Sequence, residues 1–215
     1  MYDVILFDLD GTLTDPGEGI TNSVAHALEK LGIPVPERRA LYKFIGPPLY
    51  ASFMDFYGLD RAKALEAVEF YREYYRDRGI WENRVYDGIP ELLAKLQAAG
   101  KRLLVATSKP EEFALQILEH FGLRQYFELV AGSTMDSSRV EKADVIAYAL
   151  EQQQIAPGPA VVMVGDREHD VLGAKKAGLD CIGVLFGYGT EPELQKAGAA
   201  HIAATVEGLA GLLLA

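Results

Sequence analysis

A single cysteine, Cys181, is all the sulfur chemistry available for cross-linking in 215 residues, so no internal disulfide can form. It stands in the apolar run Cys181 to Leu185, where a buried strand thiol is the plain reading, and no cluster beside it would activate the sulfur. Positive charge is also short: 21 Lys and Arg face 31 Asp and Glu, for a net charge of -10. That balance argues against nucleic acid or an anionic membrane as partner and suits small molecules and metal cations. No run approaches the roughly 18 apolar residues of a membrane span. The opening Met-Tyr-Asp-Val-Ile-Leu-Phe-Asp carries no basic leader, so a cytoplasmic protein is expected. Repeats and low-complexity tracts are missing too. What remains is 49% hydrophobic and 24% charged, an ordinary globular composition.

Short, almost uniformly apolar runs recur along the chain at Val4 to Phe7, Arg102 to Ala106, Phe127 to Ala131, Ala160 to Val164 and Cys181 to Leu185. Lacking polar alternation, they read as parallel strands buried on both faces. Helical periodicity follows at Pro90 to Ala99, Glu111 to Phe121, Lys142 to Gln153, Glu168 to Ala177 and Ala204 to Leu214. Gly100, Gly122 and Gly178 stand where a left-handed helix cap is wanted. Alternation of this kind predicts an α/β fold.

Between the first and second strands lie about ninety residues without a convincing strand. Helical patterns run at Gly19 to Leu31, Glu37 to Phe44, Leu49 to Tyr57 and Arg61 to Arg78. This is too long for a crossover, so residues 15–84 are expected to form a helical domain inserted into a core of 1–14 and 85–215. Its aromatics (Phe53, Phe56, Tyr57, Phe70, Tyr71, Tyr74, Tyr75, Trp81) recur largely at helical spacing and read mostly as that unit's core. Residues 14–86 hold ten basic and eleven acidic side chains, which leaves eleven and twenty elsewhere: the acidity belongs to the α/β part.

Open α/β sheets bind ligands at the carboxyl ends of their strands. The first apolar run is followed by Asp8-Leu9-Asp10-Gly11-Thr12-Leu13-Thr14, the second by Thr107-Ser108-Lys109, and the fourth by Gly165-Asp166-Arg167-Glu168-His169-Asp170; Lys142 opens the helix leading into that fourth strand. Each has an ordinary alternative. Asp-Gly is a common turn pair, Asp166 to Asp170 could be an N-cap with an acidic first turn, Thr107 a loop hydroxyl, and Lys142 a solvated lysine. Their joint placement at one sheet edge points instead to a site.

In these residues the chain resembles the haloacid dehalogenase superfamily, and within it the phosphoglycolate phosphatase-like hydrolases with a helical cap. Asp8-x-Asp10-Gly11-Thr12 matches the first motif, Thr107 the second, Lys142 the third and Gly165-Asp166-x-x-x-Asp170 the fourth. The resemblance implies a Rossmann-like parallel-sheet core with an inserted α-helical cap, and a Mg2+-dependent hydrolysis of phosphomonoesters. It implies Asp8 as nucleophile and metal ligand, with Asp166, the Asp10 backbone carbonyl and Asp170, the last through water, completing the metal set. Asp10 would act as general acid and base, while Thr107, Ser108 and Lys142 would hold the phosphoryl oxygens. Gly11 would let the chain turn sharply after the strand, so that both carboxylates face one substrate.

In the insertion, Phe44-Ile45-Gly46-Pro47-Pro48-Leu49 resembles a substrate-facing cap loop. Lys43 beside it could meet a second anionic group of the substrate, or be a solvated lysine next to a turn. Lys109 could line the pocket. Arg167 and His169 occupy variable positions of the fourth motif, and no catalytic role is expected for His169. Gly187-Tyr188-Gly189 reads most simply as a flexible turn near the site. A phosphatase of phosphoglycolate or 5′-nucleotide type is thus expected. The alternatives are a sugar-phosphate mutase of the same fold and, more remotely, a receiver-like protein that keeps a phospho-aspartate.

Overall fold

The computed structural model describes residues 1–135 and 138–215. Its main sheet has six strands, β1 (Val4–Phe7), β4 (Arg102–Pro110), β5 (Leu129–Ser133), β6 (Val161–Gly165), β7 (Asp180–Val184) and β8 (His201–Ala203), in the order β5-β4-β1-β6-β7-β8. All five neighbouring pairs are parallel. Two short strands, β2 (Thr14–Asp15) and β3 (Arg84–Val85), pair separately. The third run starts and ends two residues later than its apolar pattern predicts, at Leu129–Ser133, and β8 is an addition. With three residues, one of them the exposed His201, β8 leaves too short a pattern to read.

By internal packing the chain forms two compact units, residues 1–14 with 85–215, and residues 15–84. In the first, α4 (Ile89–Ala98), α5 (Glu111–His120), α6 (Lys142–Gln152), α7 (Glu168–Lys176), α8 (Glu191–Ala197) and α9 (Val206–Leu214) connect or follow the strands. Strand side chains alternate between faces. Val4, Leu6, Leu104, Ala106, Met163 and Cys181 pack with Val145, Ile146 and Ala149 of α6 and Val171 and Ala174 of α7 in one cluster. Ile5 and Phe7 point the other way and are fully buried as well, as a sheet covered on both sides requires. Fully burying one such side chain stabilises the fold by about 1.5–3 kcal/mol. Cys181 lies in this core, and burial pushes its thiol well above the ordinary value, so the sulfur is inert. The glycines after α4, α5 and α7 (Gly100, Gly122 and Gly178) are all left-handed, with φ of 75°, 66° and 76°.

The 15–84 unit contains α1 (Gly17–Lys30), a 3-10 segment at Arg38–Phe44, α2 (Leu49–Tyr57), and α3 (Arg61–Tyr74), which passes into a π-helical turn at Tyr75–Gly79. The predicted helix at 61–78 thus changes its hydrogen bonding after Tyr74. At the end of this turn Gly79 crosses Gly19 so closely that a Cβ on Gly19 would meet the Gly79 carbonyl oxygen at 1.9 Å. Phe44, Phe53, Tyr71 and Tyr75 are buried in this unit, whereas Phe56 and Trp81 are exposed. No helix among the described residues is long and apolar enough to cross a membrane.

Candidate active site

Parallel pairing sets the site. β1 lies between β4 and β6, with Phe7 opposite Val105 on one side and Val164 on the other. The next residues therefore leave the sheet together: Asp8 after β1, Thr107 along β4, and Asp166 after β6. Asp8 is tied down by its own backbone, whose N–H donates to the Val164 carbonyl at 2.9 Å. The chain then turns back through bonds from Gly11 N–H to the Thr14 carbonyl and from Leu13 N–H to the Leu9 carbonyl. Gly11 has a φ of 83°, and a Cβ there would lie 2.2 Å from the Asp166 carboxylate. Glycine is thus required at this turn for its backbone angle and for the approach of Asp166.

Asp8, Asp10, Asp166, Asp170, Lys109 and Lys142 are all buried, as are Thr12 and Thr107. Four carboxylates thus share the site with two lysines. Asp8, Asp166 and Asp170 form a group suited to a metal ion, one oxygen from each lying within 4.8 Å of the others. Carboxylate oxygens are the hard donors that Mg2+ prefers, so the chemistry of the donor set fits. The bonding pattern fits as well. Asp166 Oδ2 accepts from the Tyr188 N–H at 2.7 Å and Asp170 Oδ2 from the Arg167 N–H at 3.1 Å. Asp166 Oδ1 is buried with no hydrogen-bond partner among the described residues, while the buried Asp8 Oδ1 and Asp170 Oδ1 face the Lys142 ammonium. Orphaned buried carboxylate oxygens are costly unless a cation meets them.

Lys142 is the fixed charge of the cluster. Its Nζ lies 2.8 Å from both Asp8 Oδ1 and Asp170 Oδ1, as ion pairs, while its aligned hydrogen bond goes to the Ala106 carbonyl at 3.1 Å. Burial opposes its charge, but Asp170 and Asp8 hold the ammonium protonated, above the ordinary lysine value. This explains a cation in the first turn of α6, where the helix dipole disfavours one. Asp10 pairs with Lys109, Nζ to Oδ2 at 2.7 Å, and its Oδ1 is orphaned. Burial pushes the Asp10 carboxyl up, with Lys109 pulling the other way. Burial also raises Asp166 and Asp170; next in weight, the Asp170 charge adds to the rise at Asp166, while Lys142 offsets it at Asp170.

Thr107 Oγ1 accepts the Lys109 N–H at 3.2 Å, and Ser108 between them is half-buried. Lys43 and Gly46 belong to the 15–84 unit. There the Lys43 ammonium sits 4.4 Å from the Phe56 ring centroid, and Gly46 is left-handed at φ 104°. Arg167 is engaged structurally, its Nε bonding Glu193 Oε1 at 2.9 Å.

The model of the haloacid dehalogenase-like hydrolase family matches residues 5–184, a span that contains the whole cluster. The chain belongs to this family. A 5′-nucleotidase of Pseudomonas aeruginosa is 49% identical over 212 residues, 99% of this chain and 96% of that one. Tyrosine-protein kinase PtkA of Mycobacterium tuberculosis is 46% identical over 208 residues, 96% of this chain and 70% of the kinase. Among solved structures, a predicted phosphatase from Clostridium acetobutylicum matches with a TM-score of 0.97 and 48% identity, over 100% of this chain and 99% of the other.

In this haloacid dehalogenase-like hydrolase one element beside the acidic cluster escapes the side-chain pattern. The segment Phe186 to Gly189 is packed against Asp166. A Cβ on Gly187 would lie 2.4 Å from Asp166 Oδ2 and 2.2 Å from the Gly11 carbonyl oxygen, and one on Gly189 would lie 1.7 Å from the Asp166 carbonyl oxygen. Two glycines bracketing an aromatic directly after a buried strand are the trace it leaves in the sequence.

Proposed function

We propose that this haloacid dehalogenase-like phosphatase hydrolyses small phosphomonoesters of phosphoglycolate or 5′-nucleotide type with Mg2+, through an aspartyl-phosphate on Asp8. The observation that carries the reading is the pair of buried carboxylates two residues apart, Asp8 with its Oδ1 against the Lys142 ammonium, and Asp10 with Oδ2 paired to Lys109 and Oδ1 without a hydrogen-bond partner among the described residues. A phosphate monoester is a dianion, and its uncatalysed hydrolysis is among the slowest reactions known. Two functions, a nucleophile and a proton carrier, are needed within reach of one phosphorus.

Asp8, Asp166 and Asp170, with the Asp10 backbone carbonyl, would hold the Mg2+, which when bound neutralises charge on the phosphate and on Asp8. The Asp8 carboxylate oxygen bonds to phosphorus while the ester P–O bond breaks and Asp10 protonates the departing alkoxide. Water then attacks the phosphorus, Asp10 takes its proton, and the bond to Asp8 breaks to release phosphate. A burial-raised carboxyl at Asp10 suits a residue that must first be an acid. Lys142 and the Thr107 hydroxyl, with Ser108 beside it, hold the phosphoryl oxygens as charge develops. Lys43 and Gly46 are proposed to discriminate among substrates, and replacing either should change relative rates among phosphomonoesters more than the rate on a small generic one.

The 46% identity to a protein named a tyrosine kinase supports a second reading, in which a tyrosine hydroxyl replaces water as acceptor of the phosphoryl group. One experiment separates them. A panel of phosphomonoesters, 5′-nucleotides included, is assayed for released phosphate with wild type and Asp8→Asn. Phosphate release that disappears with Asp8→Asn supports the hydrolase; phosphoryl transfer to tyrosine without release would overturn it.

A further inference from the structure

Lys109 is set in a distorted stretch of β4. The pairing of β4 with β5 runs Leu104 to Leu129, Val105 to Val130 and Ala106 to Ala131, then resumes at Pro110 opposite Ser133. Four steps along β4 thus span two along β5, so Thr107, Ser108 and Lys109 stand against the single Gly132 and bulge from the ladder. Bulges of this kind re-aim side chains next to active sites. The bulge is braced from both sides. Thr107 Oγ1 accepts the Lys109 N–H, and β5 presses so closely that a Cβ on Gly132 would lie 2.7 Å from the Lys109 carbonyl oxygen.

The braced lysine delivers its ammonium to Asp10. The Nζ to Oδ2 distance is 2.7 Å, with the two side chains only 5% and 11% exposed. A charge so deeply placed and so close to a carboxylate is strongly coupled to it. The second oxygen, Oδ1, is buried without any hydrogen-bond partner. Resting on the phosphatase reading above, we propose that Lys109 is a positioning residue for Asp10: its ammonium fixes Oδ2 and so presents Oδ1 as the oxygen that gives a proton to the leaving group and takes one from water. It acts through Asp10 and makes no bond to the substrate.

A double-mutant comparison tests this, with p-nitrophenyl phosphate, whose weakly basic leaving group needs little protonation, beside an alkyl phosphate. Lys109→Met should lower kcat on the alkyl phosphate about 100-fold, the scale of general acid–base catalysis, with KM within about twofold of wild type. The burst of p-nitrophenol should keep its rate within about threefold, since attack by Asp8 does not need Asp10 there. Because Lys109→Met alone leaves the Asp10 charge buried and unpaired, the folded comparison is Asp10→Asn against Asp10→Asn/Lys109→Met. With Asp10 already disabled, removing Lys109 should change neither KM nor burst rate. A several-fold rise in KM or fall in burst rate on adding Lys109→Met to Asp10→Asn would overturn the proposal and make Lys109 a substrate ligand. A wild-type enzyme that neither releases phosphate nor shows a burst would remove the phosphatase reading itself, a failure visible before any variant is made.

Discussion

The backbone N–H of Tyr188 donates to Asp166 Oδ2 at 2.7 Å, which leaves Oδ1 as that carboxylate's one unpartnered oxygen. The bond depends on residues with no side chain, because Gly187 and Gly189 let the chain lie directly on Asp166. Gly187→Ala should therefore push the loop or the carboxylate away and weaken cation binding. The rise in Tm on adding Mg2+ should fall sharply, and the Mg2+ needed for half-maximal activity should rise about 10- to 100-fold, the usual cost of losing a group that orients a metal ligand. An unchanged Mg2+ titration would mean that Asp166 is aimed without the loop.

This loop marks where sequence reading stops. The runs at Val4 to Phe7 and Ala160 to Val164 are legible because burial on both faces leaves a continuous apolar pattern, and the observed strands lie at Val4–Phe7 and Val161–Gly165. The α/β class follows from such runs alternating with helices. Gly187-Tyr188-Gly189 reads as a flexible turn because its contribution is a backbone N–H and two missing Cβ atoms, neither of which is side-chain chemistry. The bond between Lys109 and Asp10 joins residues 99 positions apart through a strand bulge. Local pattern records neither the bulge nor its aim. The change from α to π geometry after Tyr74 is likewise absent from the local pattern, which reads as one helix over 61–78.

Chelation should separate metal loss from unfolding. On the proposed metal reading, stripping Mg2+ leaves the buried carboxylates outnumbering the two lysines that face them, so excess chelator should abolish phosphate release and lower Tm together. At about 100 times Kd a bound ion stabilises by about 2.7 kcal/mol. At about 2–4 °C per kcal/mol for a chain of this size, that is a shift of several degrees. Mg2+ should restore both. Ca2+ should restore Tm better than activity, because it accepts looser geometry with more ligands. Full turnover in chelator would refute the metal assignment.

Acid should reveal the brace behind α7. Glu193 Oε1 accepts from Arg167 Nε at 2.9 Å and from the Glu168 N–H at 3.0 Å, capping the helix that carries Asp170. Burial works against the Glu193 charge, but the Glu168 N–H and Arg167 hold its carboxyl below the usual glutamate value. A folded-state value below the unfolded one, about 4.3, gives stability that is present above that pH and lost as pH falls through the folded value. Glu193→Gln should therefore lower Tm at neutral pH, and the gap to wild type should close below about pH 4. A gap that persists unchanged in acid would assign the effect to packing instead of charge.

Asp10→Asn separates the two roles proposed for one carboxylate. Asparagine keeps the shape and the backbone carbonyl, but it can neither donate a proton to an alkoxide nor accept one from water. Alkyl phosphates should fail at the first step, with kcat down about 100-fold or more. p-Nitrophenyl phosphate should still be attacked by Asp8, and the phosphoenzyme, now without its general base, should persist. The expected record is a burst of p-nitrophenol near one equivalent per active site, then slow turnover, with a hydroxylamine-sensitive phosphoenzyme trapped. The Lys109 ammonium, left without its carboxylate, should lower Tm as well, and Asp10→Asn/Lys109→Met should recover part of that loss. A folded, metal-binding Asp10→Asn protein with neither burst nor trapped phosphoenzyme would show that the leaving group's proton comes from elsewhere.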